Sequence, residues 1–266
     1  MQTSHLQQFK QWYADYVCTF SGDDPFVRAN LKLKEDHTAR VCQEMNALTQ
    51  ALQMPEPDRL LAETIALFHD VGRHEQFSRY RTFADLLSVP HGPLGVDILR
   101  RHSILDTLTP AERDIVQRAI ELHGIKQLPP DLPDPLAPFA RLIRDADKLD
   151  IFWLTTESAN WPLRDPDAKP MINWFPEGGD CTPEVIQALL HERPIDYLLM
   201  RTSNDMKLLE LAWVFDLNFR PTLEKVRDRR YLEKIIASLP DTPDIRTVAQ
   251  KVLARRDRRI DASANS

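Results

Sequence analysis

An adjacent His-Asp pair at the end of an apolar helical run raises the question of metal chemistry in this chain, and four further histidine and aspartate residues are candidates to complete the ligand set. His69 and Asp70 are adjacent in Ala66-Leu67-Phe68-His69-Asp70-Val71-Gly72-Arg73, where an apolar helical run stops at a glycine. An imidazole and an ionised carboxylate taken out of water are costly unless they are paired or coordinate a metal. Further donors lie upstream at His37 and downstream at His91, His123 and Asp147. Successive helical residues point to different sides, so His69 and Asp70 can share an ion only beyond a helix end. His37, His69, Asp70 and Asp147 would give one ion two imidazoles and two carboxylates. Such donors suit first-row transition ions better than calcium, and the lack of a cysteine beside them argues against a structural zinc.

The elements that must position these donors read as helices throughout. Leu6, Phe9, Tyr13, Tyr16, Val17 and Phe20 form a helical stripe over 3–20. Asp24-Pro25 starts a helix to about Leu52 that carries His37, and Asp58 is expected to cap a third. Gly72 stands where a left-handed C-terminal cap would sit. Residues 74–92 read as a loop, and Pro93 as the start of the next helix. Thr109-Pro110-Ala111-Glu112 has the pattern of a capping box with proline at the first helical position. That helix ends at His123-Gly124, and a long one from about Leu136 to Thr156 bears Asp147. The stretch 158–181 reads as irregular, with helices again near 183–191, 203–218, 221–238 and 243–257. The expected fold is all-α, a single helical domain over 1–266. Its core spans about 25–156, with a helical extension over about 157–257.

Composition sets the outer bounds. The chain has 266 residues, 42% of them hydrophobic, and carries 34 basic against 40 acidic residues, a formal charge of −6. That charge gives no footprint for sequence-independent nucleic-acid binding. Three cysteines, Cys18, Cys42 and Cys181, form no close pair, so a disulfide framework is not expected and a reducing cytoplasm fits. The opening residues lack the basic-then-apolar pattern of a signal peptide. No run of about 18 apolar residues suggests a membrane span.

The series His37, His69-Asp70, His91, His123, Asp147 closely resembles the HD-domain metal-dependent phosphohydrolases, an all-helical superfamily, over roughly Lys34 to Thr156. The resemblance implies one or two divalent ions, drawn from Mn, Fe, Co, Ni, Zn or Mg. In its two-metal members two intervening histidines are the extra ligands and the HD aspartate bridges the ions; His91, His123 and Asp70 take those places. With a single ion, His91 and His123 would instead bind phosphate or relay protons. The implied activity is hydrolysis of a nucleotide or other small phosphate ester by metal-activated water. Asp70 is then the bridge or base, and Arg73 and Lys148 are candidates to neutralise phosphate charge. Salt bridges are the rival explanation: Arg73 closing the helix end, Lys148 pairing with Asp145 or Asp150. A nucleotide-binding sensor and a di-iron oxygenase are the alternative functions.

Within the superfamily, the Arg73-His74 that follows the pair stands where alarmone hydrolases carry Glu-Asp, and no Gly-Tyr-Pro tripeptide of the cyclic-dinucleotide branch occurs. The pattern His69-Asp70-Val71-Gly72-Arg73, an aromatic-rich loop, then His91-Gly92-Pro93-Leu94-Gly95-Val96 is most similar to small bacterial HD proteins. His5, His74, His102 and His191 are expected to be structural, as are Trp153, Trp161, Trp174 and Trp213. Lys126 is expected to be solvated, and Tyr80, Arg81 and Thr82 either line a pocket or pin their loop.

Overall fold

The structure, a computed structural model, describes residues 1–20, 22–157, 175 and 178–262. Among them the elements are helices and short 3-10 turns, with no strand, so the all-α expectation holds. The contacts fall into two compact units, one from Met1 to Asp150 and one from Ile151 onward. Trp161, Trp174 and most of the 158–181 stretch lie outside the described residues.

The first unit opens with α1 (Thr3–Cys18) and α2 (Pro25–Ala51). The Asp24 carboxylate accepts the amide hydrogens of Phe26 and Val27, and Pro25 occupies the first helical position, so α2 is capped as its sequence suggests. α3 (Glu56–Phe68) begins two residues before Asp58, which lies in its first turn and is not its cap. α3 packs on α1, α2 and α6, burying Leu61, Ile65 and Phe68. α6 (Pro110–His123) carries the capping box between Thr109 and Glu112, and α7 (Ala137–Glu157) runs across the boundary at Asp150.

The segment read as loop over 74–92 is largely helical. α4 spans Gly72–Tyr80 and α5 spans His91–Arg101, beginning at His91 rather than Pro93. Between them lies a 3-10 turn, Asp85–Leu87. The apolar period over α4 is hidden because its buried face is mostly polar: His74, Glu75 and Gln76 are buried beside Phe77.

Gly72 is not a left-handed cap. It is the first residue of α4 and its φ is negative. A Cβ here would lie 2.2 Å from the carbonyl oxygen of His91 and 2.8 Å from the amide nitrogen of Gly95. The glycine therefore serves a close helix crossing that sets His91 against the His-Asp junction. Gly92 does the same toward α6, where a Cβ would meet the Ile120 carbonyl oxygen at 2.9 Å.

The second unit holds α8 (Pro183–Leu190), α9 (Ser203–Ala212), α10 (Arg220–Asp228), α11 (Tyr231–Ala237) and α12 (Pro243–Ala262). α12 packs on α8, α10 and α11. The helix expected over 221–238 is broken at Arg230, whose left-handed backbone (φ 56) turns Tyr231, Leu232 and Ile235 into the core. The fully buried Asp205 carboxylate accepts from the Thr182 amide and hydroxyl, each at 2.7 Å, so one side chain ties together the starts of α8 and α9. Glu210 is buried at 3% exposure, with Thr155 donating to Oε1 at 2.8 Å and no partner at Oε2.

Two predictions follow from these packing facts. Gly72→Ala forces its methyl into the His91 backbone; overpacking of this kind costs about 1–3 kcal/mol or more. Denaturant unfolding is expected to show that loss, and unchanged stability would refute the close crossing. Burial raises Glu210 to about 8 from 4.5. The folded chain then keeps a proton that the unfolded chain releases between those values, so stability is present at acid pH. It falls by about 1 kcal/mol per pH unit as pH rises from roughly 5 to 8. Glu210→Gln should flatten this slope in thermal unfolding measured across that range.

Candidate metal centre

Each of the six donors sits at a defined point of a helix. His37 and Asp147 are mid-helix on α2 and α7. His69 and Asp70 occupy the tight junction where α3 ends and α4 starts. His91 is the first residue of α5 and His123 the last of α6. The apolar faces of α2, α3, α5 and α6 bury these positions, and only Asp147 keeps partial exposure, at 19% of its side chain. Arg144 on α7 donates to the carbonyl oxygen of His123 at 3.0 Å, tying the end of α6 to the helix that carries Asp147.

The donors converge as two sets that share Asp70. Its Oδ2 faces Nε2 of His37 at 3.5 Å and of His69 at 3.7 Å. Its Oδ1 faces Nε2 of His91 at 3.4 Å and of His123 at 3.7 Å. Asp147 Oδ1 joins the first set, 3.2 Å from His37 and 3.9 Å from His69. His37, His69 and Asp70 could therefore hold one ion, and Asp70, His91 and His123 another.

The ring tautomers test whether an ion fits. Nδ1 of each histidine faces an acceptor: Asp150 Oδ2 at 2.6 Å for His37, the Ala66 carbonyl at 2.7 Å for His69, Asp85 Oδ2 at 2.7 Å for His91, and the Ile120 carbonyl at 2.7 Å for His123. A hydrogen on Nδ1 leaves Nε2 as the lone-pair atom, the arrangement that orients a metal-binding histidine. The bare Nε2 atoms of His91 and His123 then face each other at 2.9 Å. Two lone pairs at that distance repel, and a shared cation resolves them. The nitrogen and oxygen donors fit a divalent transition ion.

Electrostatics agree with this geometry. Burial lowers His69 to about 4, and burial with the nearby Arg73 lowers His91 to about 3, so both are neutral and ready to ligate. Burial opposes ionisation of Asp70, but the positive charge of Lys34, with that of Arg73, outweighs it and holds the carboxyl well below its usual range. Burial and Lys34 disfavour the His37 imidazolium, yet its hydrogen bonds to Asp147 and Asp150 raise it to about 9. A divalent ion must displace that proton.

Three further residues, Lys34, Asp85 and Asp150, stand beside these donors and were not expected there from sequence. Lys34 Nζ donates to Asp70 Oδ2 at 2.8 Å and lies 5.3 Å from the centre of the Phe83 ring. Lys34 stands three residues before His37, and Asp150 three after Asp147, so a helical face shared with each ligand was their signal. Asp85 lies in the 3-10 turn, where no period could reveal it.

Arg73 lies against Asp70 rather than in the open: Nε is 3.4 Å from Asp70 Oδ1, while Nη1 donates to Asp85, Gln76 and the Phe83 carbonyl. Lys148 follows Asp147 on α7 and is buried. His102 is exposed and packs on Trp12 and Tyr16, away from the donors. His74 is buried against Tyr13. Lys126 is exposed, and Tyr80 is 44% exposed at the end of α4. No helix among the described residues is long and apolar enough to cross a membrane.

Asp150 also pairs with Arg40, so its carboxylate is fixed before it fixes His37. Asp150→Asn is expected to weaken ion binding at His37 by about 10- to 100-fold, measured by calorimetric titration with Mn²⁺; unaltered affinity would remove Asp150 from the centre.

No curated protein and no solved structure matches the chain. Residues 35–151, which hold all six converging donors, match the family model of the HD domain, whose members are typically metal-dependent hydrolases, and this supports the HD-domain superfamily for that segment.

Proposed function

We propose that the chain is a divalent-metal phosphohydrolase whose substrate is a nucleotide or another small phosphate ester. The observation that carries this reading is the Asp70 carboxylate, each of whose oxygens faces its own histidine pair. His37, His69, Asp70 and Asp147 would hold one ion, and Asp70, His91 and His123 a second. Ions held there would supply Lewis-acid activation of water and charge stabilisation for displacement at phosphorus.

The chain's own residues supply positioning and charge. Asp150, Asp85 and two backbone carbonyls lock the four rings, so little reorganisation is left for the reaction step. Lys34, 18% exposed and 2.8 Å from Asp70, is the cation best placed to serve both the bridging carboxylate and an incoming phosphate. Arg73, whose guanidinium is engaged by Asp70 and Asp85, acts as a positioning residue in this reading. Lys148, next to Asp147, is a further candidate for phosphate charge. The cations beside Asp70 suit an anionic substrate such as a phosphate ester.

The test is metal analysis of the purified chain, followed by a panel of nucleotides and other phosphate esters with each divalent ion. Metal-dependent phosphate release is expected, and Asp70→Ala should lose both bound metal and turnover. An Asp70→Ala protein with full metal-dependent activity would sink the proposal. Tight nucleotide binding without turnover across the panel would point to a sensor.

A further inference from the structure

The four rings of the centre are not held equally. His69 and His123 bond to backbone carbonyls one turn back in their own chain segments, at Ala66 and Ile120. His37 bonds to Asp150, a helical residue that is 2% exposed. His91 alone among the four depends on a residue of a short turn. That residue is Asp85, whose side chain is 38% exposed.

The turn has little apolar anchorage at this point. Leu86 and Leu87, the residues that follow, are 75% and 77% exposed and so contribute little burial to keep it in place. Polar contacts hold it instead. Gln76 on α4 donates to Asp85 Oδ1 at 2.9 Å, to Ser88 Oγ at 2.9 Å and to the Val89 carbonyl at 2.8 Å. Arg73 donates to the same Oδ1 at 2.9 Å, while its Nε faces Asp70. Asp85 thus reaches the second donor set by two routes, directly through His91 and through Arg73 to the bridge.

We propose that Asp85 is the positioning residue of the second ion position and makes that position the conditional one of the two. This rests on the two-ion reading above. With Asp85 in place, the His91 hydrogen stays on Nδ1 and Nε2 faces Asp70 Oδ1. Without that acceptor the ring is free to turn or to carry its hydrogen on Nε2, and the second set loses a donor. The first set, fixed by α2, α7 and the junction of α3 with α4, is linked to Asp85 only indirectly, through Arg73 to the shared Asp70, and keeps its ion.

The experiment titrates the full chain with Mn²⁺, counting ions by calorimetry and metal analysis and following spin coupling between paired ions by electron paramagnetic resonance. Wild type is expected to bind two ions with a coupled signal. Asp85→Asn and Asp85→Ala should keep one ion at wild-type affinity, weaken the other by about 10- to 100-fold, and lose the coupling. Asp85→Glu should restore part of it. A Leu86→Ser/Leu87→Ser variant, altered in the same turn but not at the acceptor, should still bind two; thermal unfolding verifies that each variant is folded. Two ions at unchanged affinity in Asp85→Asn and Asp85→Ala would overturn the role of Asp85 while leaving the two-ion reading intact. A single ion in wild type would overturn the two-ion reading itself, and this proposal with it.

Discussion

The arrangement depends on one buried carboxylate that serves two directions at once. Asp70 is 3% exposed, and each of its oxygens looks toward a different pair of imidazole nitrogens. A carboxylate in that position cannot remain ionised on burial alone; Lys34 at 2.8 Å and Arg73 at 3.4 Å hold it so. Four helices, α2, α5, α6 and α7, and the junction of α3 with α4 bring the donors to the two sides of this group. The junction between α3 and α4 is short because it must present adjacent His and Asp side chains to a common point. α5 must begin, and α6 must end, where their terminal histidines reach Oδ1.

That convergence is a packing problem before it is a chemical one. α5 is held between α4 and α6 at distances that leave no room for a Cβ at Gly72 or Gly92. Cores resist small volume changes because they are close-packed, so the His91 backbone is fixed by contacts with main chain on both sides. The same logic explains why the ring acceptors are so short-range for His69 and His123: a carbonyl one turn back is already in place once the helix forms.

The helical fold and the His69-Asp70 pair were legible because each leaves a local mark. Capping residues at Asp24 and Thr109, apolar stripes on α1 to α3, and the rare adjacent His-Asp pair all act within a few residues. What sequence did not reveal acts at a distance. α4 was hidden because tertiary packing buries His74, Glu75 and Gln76 on a face that carries only one large apolar residue, Phe77. The reading of Gly72 as a cap took the commonest reason for a glycine at a helix end, whereas the real reason lies 19 residues on, at the His91 carbonyl. Arg230 broke an expected helix with a left-handed backbone that no glycine or asparagine announced. Asp85 joins the centre only through the path of its turn.

Charge explains why the centre suits an anion once ions are present. The named carboxylates are Asp70, Asp85, Asp147 and Asp150, and the named cations in contact with them are Lys34, Arg40 and Arg73. The hydrogen bonds that Asp147 and Asp150 make with His37 are what raise its imidazole to about 9. A divalent ion would displace that proton and carry twice its charge, and a second ion would add more. In a buried setting such an excess is expensive and is relieved only by a partner of opposite sign. In the proposed reading, a loaded centre would draw an anion such as hydroxide or a phosphate.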